Sequence, residues 1–146
     1  MPKYAIDTNL YIDAFRNPDA TEQLKQFLTK YLPATYLSSI VMMELRTGAQ
    51  TKRSSEALEL ALFSPFEKRR RVFTPSPSAF KEAGRILACM AQDHQLDPGL
   101  LKSSIVNDAL LAVSCREQGV VLITHDTDFP RIRQHLKSFR YIAHWP

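Results

Sequence analysis

Lys3-Tyr-Ala-Ile-Asp-Thr-Asn-Leu-Tyr-Ile12 decides how the chain is read. Tyr4, Ala5 and Ile6 form a short apolar run with the character of a buried strand, and the run stops at Asp7. Thr8 and Asn9 follow, then Leu10, Tyr11 and Ile12 open a helical pattern. A carboxylate therefore stands where a strand turns into a helix. In open α/β sheets, ligands bind outside the carboxyl ends of the strands. Asp7 is equally suited to cap the helix that follows, because its side chain can accept from the free amides of a first turn. Taken alone, the stretch leaves both roles open.

The same arrangement recurs near the other end. Val120-Val-Leu-Ile123 is a continuous aliphatic run, as expected of a central parallel strand buried on both faces. It runs into Thr124-His-Asp126-Thr-Asp128-Phe-Pro130, again a hydroxyl, a carboxylate and a helix start. Between the two ends, strands and helices alternate, which predicts a parallel sheet with helices on both faces. Leu24, Phe27, Leu28, Tyr31 and Leu32 mark a helix, capped by Asp19 or Thr21 and ended by Pro33. Thr35–Ser38 is strand-like. A helix from about Ile40 to Gly48 carries Glu44, with Ile40, Val41 and Met43 on or near the same face. Glu44 either leans toward the core, where it needs a cation or a proton, or lies on the surface beside Arg46.

Lys52–Ser55 predicts a turn, and Ala57–Leu62 a helix stopped before Pro65. Lys68-Arg-Arg-Arg71 reads as a solvated helix end in preference to a grip on a nucleic-acid backbone. Arg71–Thr74 predicts a short strand, and Pro75–Ser78 a turn with a helix N-cap. Phe80, Ala83, Leu87, Met90 and Ala91 mark the helix that follows. Asp97-Pro98-Gly99 breaks the chain. Ser103 or Ser104 then caps a helix that Gly119 closes, with Asp108 inside its apolar pattern. The competing assignment makes Asn107 the N-cap and leaves Asp108 to face the helix dipole. Arg131–Lys137 predicts a short basic helix and Phe139–Ala143 an edge strand.

The composition narrows the class. A chain of 146 residues predicts one domain over 1–146 with a real core. No apolar run reaches the length of a membrane span, and Asp7 and Asp13 interrupt any signal-peptide core, so a cytoplasmic setting is expected. Cys89 and Cys115 lack metal-ligand spacing and predict neither a disulfide nor a zinc site. Net charge is +4, and the pI of about 9.2 mildly favours an anionic partner such as nucleic acid. Four glycines provide no phosphate-cradling loop. A receiver domain would want a lysine after a late strand, where Thr124-His125 stands, and an aspartate-nucleophile phosphatase would want a second Asp at Asn9.

Two strand ends thus supply Asp7 and Asp126, and two helices supply Glu44 and Asp108. If they converge, they repel and raise one another's pKa values unless a cation neutralises them. An all-oxygen site suits Mg²⁺ or Mn²⁺, which activate water toward a phosphodiester. A basic chain with an acidic metal pocket points to a nuclease. Asp128 competes with Asp126 for the fourth position; Asp126 is nearer the strand end. His125 lies beside the acids, but the alternation of side chains at the strand end argues against a general-base role.

The chain resembles the PIN-domain ribonucleases, and among them the VapC-like toxins of type II toxin–antitoxin pairs. Four motifs carry the resemblance essentially end to end: Ile6-Asp-Thr-Asn9; Ser39 through Glu44-Leu45 to Gly48; Asn107-Asp-Ala-Leu-Leu-Ala112; and Ile123-Thr-His-Asp-Thr-Asp-Phe129. The segment Asp97–Lys102 departs from the family in not being glycine-rich. The resemblance implies an α/β fold, a PIN-like three-layer α/β/α sandwich around a mainly parallel twisted sheet. It implies a Mg²⁺- or Mn²⁺-dependent endoribonuclease with Asp7 and Asp108 as main ligands. Glu44 and Asp126 would complete the acidic ring, and Thr124 and Asn9 would support it. It also implies an RNA substrate, a cognate antitoxin and a homodimer. The alternatives are a PIN nuclease of RNA processing or decay without an antitoxin, and a non-catalytic PIN module that binds RNA or protein.

Overall fold

The computed structural model describes residues 2–93 and 103–146. Five parallel strands form one sheet: β1 (Lys3–Ile6), β2 (Thr35–Ser38), β3 (Val72–Phe73), β4 (Val120–Ile123) and β5 (Tyr141–Ile142). Their spatial order is β3-β2-β1-β4-β5. The opening stretch is therefore the central strand. β1 pairs with β4 over its full length, Lys3 beside Val120 and Ile6 beside Ile123. All four residues of β4 are buried, as the aliphatic run predicted. The chain builds outward from β1 through β2 to β3 on one side, and through β4 to β5 on the other. The point where the order reverses, between β1 and β4, opens a crevice at the carboxyl ends of both strands.

Helices flank the sheet. α1 (Thr8–Arg16) follows β1 directly and packs on α2 (Pro18–Tyr31) and α3 (Ser39–Gly48). α3 starts at once after β2, with the Ser38 side chain accepting from the Ile40 amide. α7 (Ser103–Gln118) packs against α6 (Pro77–Gln92), β4, and α8 (Asp128–Arg133). Gly119 ends α7 with φ +65°, the left-handed value that makes glycine the usual residue there. Tyr4 on β1 meets Phe27 and Tyr31 of α2 edge-on, at centroid distances of 5.6 and 5.3 Å.

Several local expectations are corrected. α2 is capped by Asn17, whose Oδ1 accepts from Asp19 N, and not by Asp19 or Thr21. Lys52 opens α4 (Lys52–Leu58) and not a turn, because Thr51 and Ser54 cap each other's backbone amides. Pro65 does not stop the chain's helix. α4 passes through a π-helical stretch, Glu59–Phe63, into α5 (Ser64–Lys68): Ser64 N donates to Glu59 O, five residues back, and this wider turn takes in Pro65, which has no amide to donate. Met43 is exposed, while Ile40, Val41 and Leu45 form the buried face of α3. Asn107 lies inside α7 and caps nothing there. Ser103 and Ser104 are the first residues of α7 and not its cap; the break at 97–99 and the loop at 97–102 lie outside the described residues.

The basic run behaves as a helix end: Arg69 Nη1 donates to Pro65 O and Arg71 Nη1 to Leu32 O. Cys89 and Cys115 are free thiols. No described helix is long and apolar enough to cross a membrane.

Candidate metal centre

The crevice between β1 and β4 is lined by carboxylates from four chain segments. Asp7 does both things its position allowed. It caps α1, its Oδ1 accepting from Thr8 N at 2.8 Å. Its Oδ2 turns the other way and accepts from Thr124 Oγ1 at 2.7 Å. The backbone holds the two ends in register, since Asp7 N donates to Ile123 O at 3.0 Å. Burial pushes the Asp7 carboxyl up to about 6; the bonds from Thr124 and Thr8 oppose the rise, and the charges of Asp126 and Glu44 add to it.

Glu44 is half-buried on α3 and accepts from Thr8 Oγ1 at 2.7 Å. Thr8 thus links two acids, its amide to Asp7 and its hydroxyl to Glu44. Residue-by-residue reading missed this role and looked to Asn9, which is exposed and makes no side-chain hydrogen bond among the described residues. The available signal was helix geometry: the first residue of a helix capped by Asp7 is held where that aspartate points.

Asp108 stands in the second turn of α7, buried, with Oδ2 accepting from no donor among the described residues. Its carboxyl is pushed up to about 9, first by burial and then by the negative charges of Asp126, Asp7 and Asp128. Asp126 follows β4 in a loop folded back on itself. Asp126 N donates to Thr124 Oγ1 at 3.0 Å, and Asp126 Oδ1 accepts from Asp128 N at 2.9 Å. Asp128 opens α8 and pairs with Arg131 at 3.2 Å. Carboxylate oxygens of Asp108, Asp126 and Asp128 lie within 4.8 Å of one another. Both candidates for the fourth position, Asp126 and Asp128, present an oxygen to Asp108. His125 is exposed.

Thr124 is the pivot. Its single hydroxyl donates to Asp7 and accepts from the Asp126 amide, tying the ends of β1 and β4 together. The donor set is all oxygen, and it includes one buried carboxylate oxygen without a hydrogen-bond partner. Such an atom is costly unless a proton or a cation meets it. The residues therefore fit a hard divalent cation in charge and in ligand type. Glu44 also borders a groove of about 450 Å³ between α1, α3 and α4, with Ile12, Phe15, Ala57 and Ala61 on its walls.

The sequence model of the PIN domain matches residues 4–134. No match is found among curated proteins. Among solved structures, the fold is similar to DNA-bound VapBC from Salmonella typhimurium, with TM-score 0.68 and 25% identity over 97% of this chain and 98% of that one. It is also similar to VapBC-1 from nontypeable Haemophilus influenzae, with TM-score 0.64 and 24% identity over 95% and 96% of the two chains. A toxin–antitoxin complex from Klebsiella pneumoniae matches with TM-score 0.60 and 21% identity over 97% of each chain.

Proposed function

This chain belongs to the PIN-domain family, and on that premise we propose that it is a metal-dependent endoribonuclease, the toxin of a type II toxin–antitoxin pair. The observation that carries the metal-site part is the orphaned Oδ2 of Asp108, buried in a ring of acids. Without a cation, burial and the neighbouring negative charges push the Asp108 carboxyl well above the usual carboxylate range, toward its protonated form. A carboxylic acid there is a poor ligand and a poor base. A divalent cation reverses that state by neutralising the ring.

In this proposal Asp7 and Asp108 hold Mg²⁺ or Mn²⁺, with Glu44 and Asp126 completing the ring. When bound, the ion lowers the pKa of a water and stabilises the leaving oxygen of a phosphodiester. The chain's own residues do the rest. Thr124 fixes the direction of Asp7, and Thr8 fixes that of Glu44. Glu44 and Asp126, nearer solvent than Asp7 and Asp108, orient the attacking water and accept its proton. Excess positive charge over the rest of the surface supports an RNA substrate.

The similar solved structures include a DNA-bound VapBC complex and a toxin–antitoxin complex, and they support a cognate antitoxin as the protein partner. We place the whole of 1–146 in one PIN domain, working in the cytoplasm as a homodimer.

The test is induction in bacteria of the wild type and Asp7→Asn in parallel, with growth followed and new RNA 5′ ends mapped. Growth arrest with discrete cuts by the wild type alone is the expected result. Arrest by both proteins would remove the proposed chemistry, and soluble wild-type protein that neither arrests growth nor cuts RNA would remove the toxin assignment.

A further inference from the structure

Five carboxylates line the crevice, and the structure treats them unequally. Asp7 and Glu44 each receive a threonine hydroxyl, and Asp7 also receives a backbone amide. Asp108, Asp126 and Asp128 form a separate group, one oxygen of each lying within 4.8 Å of the others. Within it, Asp108 Oδ2 is fully enclosed and accepts from no donor among the described residues, on a residue only 7% exposed. Two oxygens bound to one small divalent ion lie at most about 4.2 Å apart, for metal–oxygen distances of about 2.1 Å. Small side-chain rotations would let all three reach a common ion.

We infer that Asp128 is itself a ligand of the bound cation, together with Asp108 and Asp126, so that this chain carries five acidic ligand positions. The inference rests on the metal-nuclease proposal above. Three observations single out Asp128. Its backbone amide occupies Asp126 Oδ1, which leaves Oδ2 as the free oxygen of Asp126. The same turn brings residues 126 and 128 to one side, so the two carboxylates face Asp108 together. Arg131 Nη1 donates to Asp128 Oδ1 at 3.2 Å, which helps hold this half-buried carboxylate at the cluster. The competing role is an ordinary first-turn acid that complements the dipole of α8. That role requires no approach to Asp108, and Asp19 in the first turn of α2 fills it far from any such cluster.

Titration calorimetry of the full chain with Mn²⁺ alone, without RNA, tests this. Asp128→Asn should weaken Mn²⁺ binding by at least about tenfold, comparably to Asp126→Asn, as loss of a metal-supporting group does. Asp19→Asn should leave affinity within about twofold, as expected of a first-turn acid whose field is confined to its own helix end. Thermal melts of the metal-free variants report folding separately, and the Mn²⁺-induced rise in Tm should shrink for Asp128→Asn. If the wild type binds Mn²⁺ and Asp126→Asn weakens it while Asp128→Asn matches the wild type, the ligand role of Asp128 is overturned and the nuclease proposal stands. If the folded wild type binds no Mn²⁺, both fall.

Discussion

The two flanks of the crevice hold the same chemical group in different states. On the β1 flank, Asp7 is 4% exposed, yet its carboxyl is pushed only to about 6. On the α7 flank, Asp108 is 7% exposed and is pushed to about 9. The more enclosed group is the less shifted, so depth alone does not set the difference. Donors do: Thr124 and Thr8 give Asp7 two short hydrogen bonds that favour its charged form, while Asp108 Oδ2 has none and faces three other carboxylates. One flank is prepared to stay ionised by the protein itself. The other needs an external positive charge.

The sharpest way to break this contrast is to neutralise one acid on each flank. Asp7→Asn and Asp108→Asn should each lower the RNA cleavage rate by roughly 10³-fold or more, since both are proposed as direct ligands. Single-turnover cleavage with saturating Mg²⁺ measures it. A loss confined to one variant would assign the chemistry to one flank and refute the shared site.

A smaller effect is expected from Thr124→Val, which removes the pivot and keeps the shape. Asp7 Oδ2 loses its donor and the Asp126 amide loses its acceptor. Cleavage should fall about 10–100-fold, as for other groups that orient metal ligands. Stability should fall by about 1–3 kcal/mol, the usual cost of unsatisfied buried polar groups. Thr124→Ser, which restores the hydroxyl, should recover most of the rate; failure to do so would mean that Thr124 acts through packing alone.

The smallest effect separates the flanks without any reaction. Both carboxyls are raised above their unfolded values, so the metal-free folded state binds more protons than the unfolded chain between pH 4 and 9. The contribution is fully present below about pH 4 and is lost as pH rises, through about 6 for Asp7 and about 9 for Asp108. The metal-free Tm should therefore decline from pH 5 to 9. Asp108→Asn should flatten the upper part of that decline and stabilise the metal-free protein at pH 8 by on the order of 1 kcal/mol, or roughly 2–4 °C for a chain of this size. A parallel decline in the variant would assign the slope to other groups.

Particular residues show how far the chain could be read without its fold. β1, β2 and β4 were legible because each is a short apolar or β-prone run ended by a polar residue that starts a helix. Asp7, Glu44, Asp108 and Asp126 were legible as acids at strand ends or on apolar helix patterns. The errors were local and share a cause. Composition reads Pro65 as a helix stop and Lys52 as a turn, but a π-helical widening takes in the proline and Thr51–Ser54 supplies a cap. Thr8 was not legible as a link between Asp7 and Glu44, because residue type does not carry the direction in which the first turn of α1 points.

By itself, the sequence determined the alternation of strands and helices and the placing of acids where strands end. These are properties of short stretches, and periodicity together with local capping rules carries them. Only the tertiary structure decided which acids share hydrogen-bond donors, which carboxylate oxygen is left without one, and that Asp128 stands with Asp108 and Asp126. The physical reason is distance along the chain. The bond from Thr124 to Asp7 spans 117 positions and exists only because β1 and β4 pair in a register that sets Ile6 beside Ile123.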